Sequence, residues 1–233
     1  MGLFSYLKST ILSKIIMAFT GVLLVLYICF HTLGNMQVYI GREALNRYAD
    51  LLQSLGELLW IFRIVMLVAL ILHVLTSLRL KFLNLSTRPV EYKFRKYLKA
   101  KLTSRTMIWT GLAIFAFILY HILHFTMGVA DPTNFGHPEF YGPSNLFMRH
   151  DVYFMLIKGF RQPVISIVYI VGVTIVGFHL SHSIQSMFQT LGFNGPRFTP
   201  FIINASNALA TIIALCLISI PITVLLGLVG RNI

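Results

Sequence analysis

The sequence predicts an all-α integral membrane bundle of five transmembrane helices, with the N-terminus inside and the C-terminus outside. Three observations carry this expectation. The 233 residues are 57% hydrophobic and only 11% charged, with a mean hydropathy of +0.78, a balance far from that of a water-soluble domain. Five apolar stretches, at roughly 15–34, 57–78, 106–130, 163–186 and 203–229, are each long enough to cross a hydrocarbon core of about 30 Å. The stretches are continuous rather than alternating, which selects helices over the strands of a closed barrel. Residues 1–233 read as a single transmembrane domain, with no disordered or low-complexity segment.

Each element can be justified in order. The first span follows Lys8 and Lys14, as a signal peptide would. It is long, carries a histidine and lacks a clean small-residue cleavage site, so it reads as a retained helix. Residues 42–55, "REALNRYADLLQSL", have helical spacing and suit a short interfacial helix. The second span begins at Glu57 and holds Arg63, the one charged side chain in the interior of a predicted span. The loop after it concentrates Arg79, Lys81, Arg88, Lys93, Arg95, Lys96, Lys99, Lys101 and Arg105, opposed only by Glu91. Positive residues stay on the cytoplasmic side, so this loop is inside. The two crossings before it put the N-terminus inside as well. The net charge of +12 is therefore a topology signal, and a nucleic-acid-binding face is rejected. After the third span, residues 131–149 are rich in Pro, Gly and Asn and read as irregular structure. The outer loops at 35–56 and 131–162 carry Glu43, Asp50, Asp131, Glu139 and Asp151. The fourth span is followed by the inner loop "GFNGPRFTP" and a fifth span without histidine. Cys29 and Cys216 both fall in spans and form neither a disulfide framework nor a metal-thiolate spacing.

Six of the eight histidines lie in the spans: His31, His73, His121, His124, His179 and His182. His137 and His150 lie in an outer loop. Ionisable groups in a membrane are costly and mark function. One such ring can be explained as a neutral side chain bonded to a carbonyl, but four helices each carrying one are harder to explain. At about 1.5 Å rise per residue, His31 and His121 fall near the outer side and His73 and His179 near the inner side. The two layers are about 15–20 Å apart. Two imidazoles facing each other across a bundle suit the two axial positions of haem iron. Zinc would want about four ligands in one cluster.

Two helix comparisons choose within the doublets. "TGVLLVLYICFH" and "TGLAIFAFILYH" each place a histidine ten residues after a glycine, Gly21 with His31 and Gly111 with His121. "HVLTSLRLKF" and "HLSHSIQSMF" align His73 with His179, Ser77 with Ser183 and Phe82 with Phe188. His124 and His182 are then pocket residues. The glycines allow close approach of a flat macrocycle or, equally, of a neighbouring helix. Arg63, about 9 Å deep, is placed to meet a propionate of the outer haem or to snorkel to the headgroups. Arg79, Lys81 and Arg105 are similarly placed for the inner haem.

These residues resemble a known family. "TGVLLVLYICFHTLGN", "GELLWIFRIVMLVALILH", "RTMIWTGLAIFAFILYH" and above all "FHLSHSIQSMFQTLG" are similar to the dihaem b558-type cytochrome b anchors of succinate:quinone oxidoreductases and quinol:fumarate reductases. The resemblance covers essentially the whole chain. It implies two haem b groups, with axial ligands His31 and His121 for one and His73 and His179 for the other. It implies a flavoprotein subunit carrying FAD and an iron–sulfur subunit on the cytoplasmic side, electron transfer to or from a membrane quinone (menaquinone or ubiquinone), and a bacterial cytoplasmic membrane. Succinate chemistry would lie outside this chain, which has no flavin or cluster motif. The resemblance also makes Glu57 a candidate for quinol oxidation, although it can equally be an interfacial residue. Ser9, Ser13 or Lys14 could serve an inner quinone site. Two other readings compete: a dihaem cytochrome b of a hydrogenase or formate dehydrogenase, and a haem-free transporter whose histidines relay protons. The absence of Asp and Glu from the interiors of the spans weighs against the transporter.

Overall fold

The computed structural model describes residues 9–87, 102–135, 151–193, 195–231 and 233, with the backbone alone at 102–105. Eight α-helices are described: α1 Thr10–Asn35, α2 Arg42–Ser54, α3 Glu57–Ser86, α4 Leu102–His121, α5 Pro132–Phe135, α6 Val152–Phe160, α7 Pro163–Thr190 and α8 Phe198–Leu225. A 3₁₀ turn, Met36–Tyr39, follows α1, and a π turn, Ile122–Thr126, extends α4. No strand occurs among the described residues. α1, α3, α4 with its π turn, α7 and α8 are long and apolar enough to cross a membrane, so the chain is a multi-pass membrane protein of all-α class. Large apolar side chains such as Phe30, Trp60, Leu67, Trp109 and Phe201 are exposed. Water would penalise these surfaces, whereas lipid tails accept them.

The helices start and stop for local reasons. The Ser9 hydroxyl accepts from the Leu12 N–H at the start of α1, a capping bond. Asp151 caps α6 by accepting from the Phe154 N–H at 3.0 Å. Pro163 opens α7, where a missing N–H costs nothing. α7 ends at Gly192, whose φ of +90° lets the chain turn back so that the Phe193 N–H reaches the Phe188 carbonyl at 3.0 Å.

The boundaries differ from those expected at several ends: α1 starts at Thr10 rather than 15, α7 runs to Thr190 rather than 186, and α8 covers Phe198–Leu225 rather than 203–229. α3 continues to Ser86 rather than ending near 78. The third span closes in a π turn at Thr126, short of 130. Residues 152–160, expected within an outer loop, form the helix α6 with Tyr153, Met155, Leu156, Ile157, Gly159 and Phe160 buried. Arg88, Glu91, Lys93, Arg95, Lys96, Lys99, Lys101, His137, Glu139, His150 and Lys8 lie outside the described residues.

Residue contacts group the chain into two units. Unit 1 comprises Met1–Tyr27, Phe62–Leu112 and Gly177–Thr211, and unit 2 comprises Ile28–Ile61, Ala113–Val176 and Ile212–Ile233. Unit 1 buries mostly small side chains, among them Ser13, Ala18, Thr20, Ala69 and Ala210. Unit 2 holds a larger apolar core of Val38, Leu45, Tyr153, Leu156, Ile157, Phe160, Tyr169, Ile220 and Val224. α2 and α6 pack together within it.

Candidate functional site

Unit 1 holds His73 on α3 and His179 on α7. Each ring meets a Thr-Gly pair. Thr20 Oγ1 lies 3.2 Å from His73 Nδ1, and Thr110 Oγ1 lies 3.1 Å from His179 Nδ1. The rings also lie against the adjoining glycines. A Cβ on Gly21 would stand 3.6 Å from His73 Cε1, and one on Gly111 would stand 3.5 Å from His179 Cε1. Thus Gly21 and Gly111, paired in the sequence with His31 and His121 on their own helices, face histidines of other helices instead. His179 is within electrostatic reach of both His73 and His182.

The other expected residues of unit 1 are more varied. The Ser77 hydroxyl donates to the Val74 carbonyl at 2.8 Å, and that of Ser183 to the Leu180 carbonyl at 3.4 Å, so both are turned back onto their own helices. Arg79 Nη1 donates to Ser13 Oγ at 2.6 Å, and Ser13 is buried. An open hollow of about 700 Å³ is lined by Arg79, Phe82, Leu83, Leu85 and Ser86. Arg63 is exposed and belongs to unit 1. Lys14 is exposed. The Arg105 side chain lies outside the described residues.

Unit 2 holds His31 on α1 and His121 at the end of α4. Their ring centroids are 5.7 Å apart and the rings are nearly perpendicular. Phe117, Phe125 and Tyr169 pack around the His121 ring. His124 has a different environment. Its Nδ1 lies 2.9 Å from the Tyr169 hydroxyl and its Nε2 lies 3.9 Å from Asp131 Oδ2. That carboxylate oxygen also accepts from Asn134 at 2.8 Å and Gln162 at 3.1 Å. Tyr120 and Phe125 stack on the imidazole. Its Cε1–Nε2 edge lies against Gly159 of α6, where an added Cβ would come within 3.3 Å. The π turn is the local cause. Its wider i to i+5 bonding, seen in the 2.9 Å bond from Met127 N–H to the Ile122 carbonyl, begins directly after His121 and carries His124. His121 faces His31, while both nitrogens of His124 are directed at protein groups. Glu57 is the exposed first residue of α3, in unit 2.

The donor chemistry sets what such sites can hold. Among the described residues no three His, Cys, Asp or Glu side chains converge as a metal site, which does not suit tetrahedral zinc. Paired imidazoles do suit a metal that brings its own four equatorial donors, as haem iron does. Thr20, Thr110 and Tyr169 were missed by sequence reasoning. The threonines had a visible signal, since each precedes a glycine already singled out. Tyr169 had none, because its partner is 45 residues away. No family model, no curated protein and no solved structure matches the chain.

Proposed function

We propose that the chain is a dihaem cytochrome b that anchors a succinate dehydrogenase or fumarate reductase to the membrane and passes electrons between its iron–sulfur subunit and quinone. The observation that carries the reading is the pairing of histidines within each unit. His31 and His121 face each other in unit 2, and His73 and His179 both belong to unit 1, each held at Nδ1 by a threonine. The residues fit two haem b groups, one per pair. Bound haem supplies reversible one-electron transfer.

The chain's own residues do the rest. The four imidazoles hold and orient the two groups. The small residues of unit 1 let flat rings lie close to backbone. The exposed apolar faces keep the bundle in lipid and water away from the spans. The basic loop after α3 and the N-terminus face the cytoplasm, where the FAD and iron–sulfur subunits dock, and the C-terminus is outside. Ser13 with Arg79 is a polar site for an inner quinone, and Glu57 is the candidate for an outer one. A bacterial cytoplasmic membrane suits this arrangement. One second reading has an observation behind it: the buried His124 between Asp131 and Tyr169 suits a haem-free proton relay.

Haemochrome spectroscopy on the purified complex tests the reading. Two haem b per chain, with flavin and iron co-purifying, are expected. A colourless preparation would overturn it in favour of the proton relay. Two haems with nickel or molybdenum in place of flavin would move the chain to another respiratory complex.

A further inference from the structure

We infer that Thr20 and Thr110 are positioning residues for the haem of unit 1: each hydroxyl receives the Nδ1–H of its histidine and leaves Nε2 bare toward the iron. The inference rests on the dihaem reading and concerns how this chain prepares one of the two sites.

The argument follows the protons. A threonine hydroxyl has one proton to donate. Thr20 directs it to its own helix, to the Ile16 carbonyl at 2.8 Å with the Met17 carbonyl at 3.1 Å. Thr110 does the same, to the Met107 carbonyl at 3.0 Å with the Thr106 carbonyl at 3.2 Å. Only oxygen lone pairs then remain for the histidines, so the bonds of 3.2 and 3.1 Å at Nδ1 require the ring to donate. A neutral imidazole has one N–H. With that proton on Nδ1, Nε2 carries the free lone pair that a metal needs. The residue after each threonine also meets the ring: a Cβ added at Gly21 or Gly111 would stand 3.6 or 3.5 Å from the histidine Cε1, an ordinary contact distance. The device occurs twice, on α1 for His73 and on α4 for His179, so it acts on both rings of the pair. In unit 2 the His121 ring is instead packed by Phe117, Phe125 and Tyr169.

A hydrogen bond donated by a ligating imidazole raises its basicity and fixes its orientation. A more basic ligand stabilises the oxidised iron, so the threonines hold the unit 1 haem at a lower potential than it would otherwise have.

The test is a spectroelectrochemical titration of the intact complex, with haem content per chain, for the parent and for Thr20→Val, Thr110→Val, Thr20→Ser and Thr110→Ser. Valine keeps the shape and removes the hydroxyl. Both valine variants are expected to shift the same one of two waves to more positive potential, and both serine variants to restore it. Loss of that haem in valine variants with retention in serine variants supports the inference equally. Unchanged waves in the valine variants overturn it, as does loss of haem in valine and serine variants alike, which would assign the threonines to packing. Two parent haems with either overturning result leave the dihaem reading standing. No haem in the parent defeats that reading and the inference with it.

Discussion

A single carboxylate, Asp151, ties together two helices of unit 2. It is buried and accepts from Arg42 Nε at 2.8 Å and also from Arg42 Nη2, from Asn46 Nδ2 at 2.8 Å and from the Phe154 N–H at 3.0 Å. Asn46 in turn accepts from the Tyr153 N–H at 3.0 Å. Asp151→Ala removes a cap and leaves a buried amide without its partner, a cost of about 2–4 kcal/mol. Arg42 is partly solvated, so its ion pair adds little to that sum. A lowered thermal midpoint in detergent is expected, and an unchanged one would show that α2 and α6 are held by apolar packing alone. The histidines offer a second residue-scale prediction. His121→Ala is expected to lose one haem per chain. His124→Ala is expected to keep both and lose stability, because Asp131 and Tyr169 lose a partner. Haem content with a melting curve separates these outcomes. Asp151 was legible in the sequence only as an acid of an outer loop, since Arg42 and Asn46 stand more than a hundred residues away.

At the scale of elements, the long helices were legible because each is a run of apolar residues that lipid alone selects. The helix over residues 42–55 was legible too, from its spacing, and α2 spans Arg42–Ser54. α6 was not. It is nine residues long, too short to cross a membrane, and burial on nearly all sides removes the 3.6-residue period that reveals a helix. The π turn after His121 has no composition signal either. The elements also set how much side chain the helix contacts tolerate. Gly111→Ala adds a Cβ at ordinary contact distance from His179, 3.5 Å, and is expected to retain both haems. Gly111→Leu forces a branched side chain against that ring, at a cost of about 1–3 kcal/mol. It is expected to lose the unit 1 haem, read as one haem per chain. Two haems in the leucine variant would show that α4 need not lie close to His179.

For the whole molecule, the charge pattern makes the strongest prediction. The basic loop after α3 is expected inside, so five crossings leave the C-terminus outside. A C-terminal alkaline phosphatase fusion should be active and a C-terminal fluorescent-protein fusion dark. The reverse pattern would invert the bundle and move the docking side. The five spans were legible from hydropathy alone, because membrane insertion sums transfer energies over a local stretch of chain. Depth along those stretches also groups His31 with His121, whose ring centroids lie 5.7 Å apart in the folded chain, and His73 with His179. The tertiary structure decided what each histidine touches. It placed Thr20 and Thr110 on His73 and His179, turned His124 to Tyr169, and tied Asn46 of α2 to Asp151 at the start of α6. These contacts join residues 45 or more apart in the chain. They depend on which faces of neighbouring helices meet, and a sum over one segment carries no record of that.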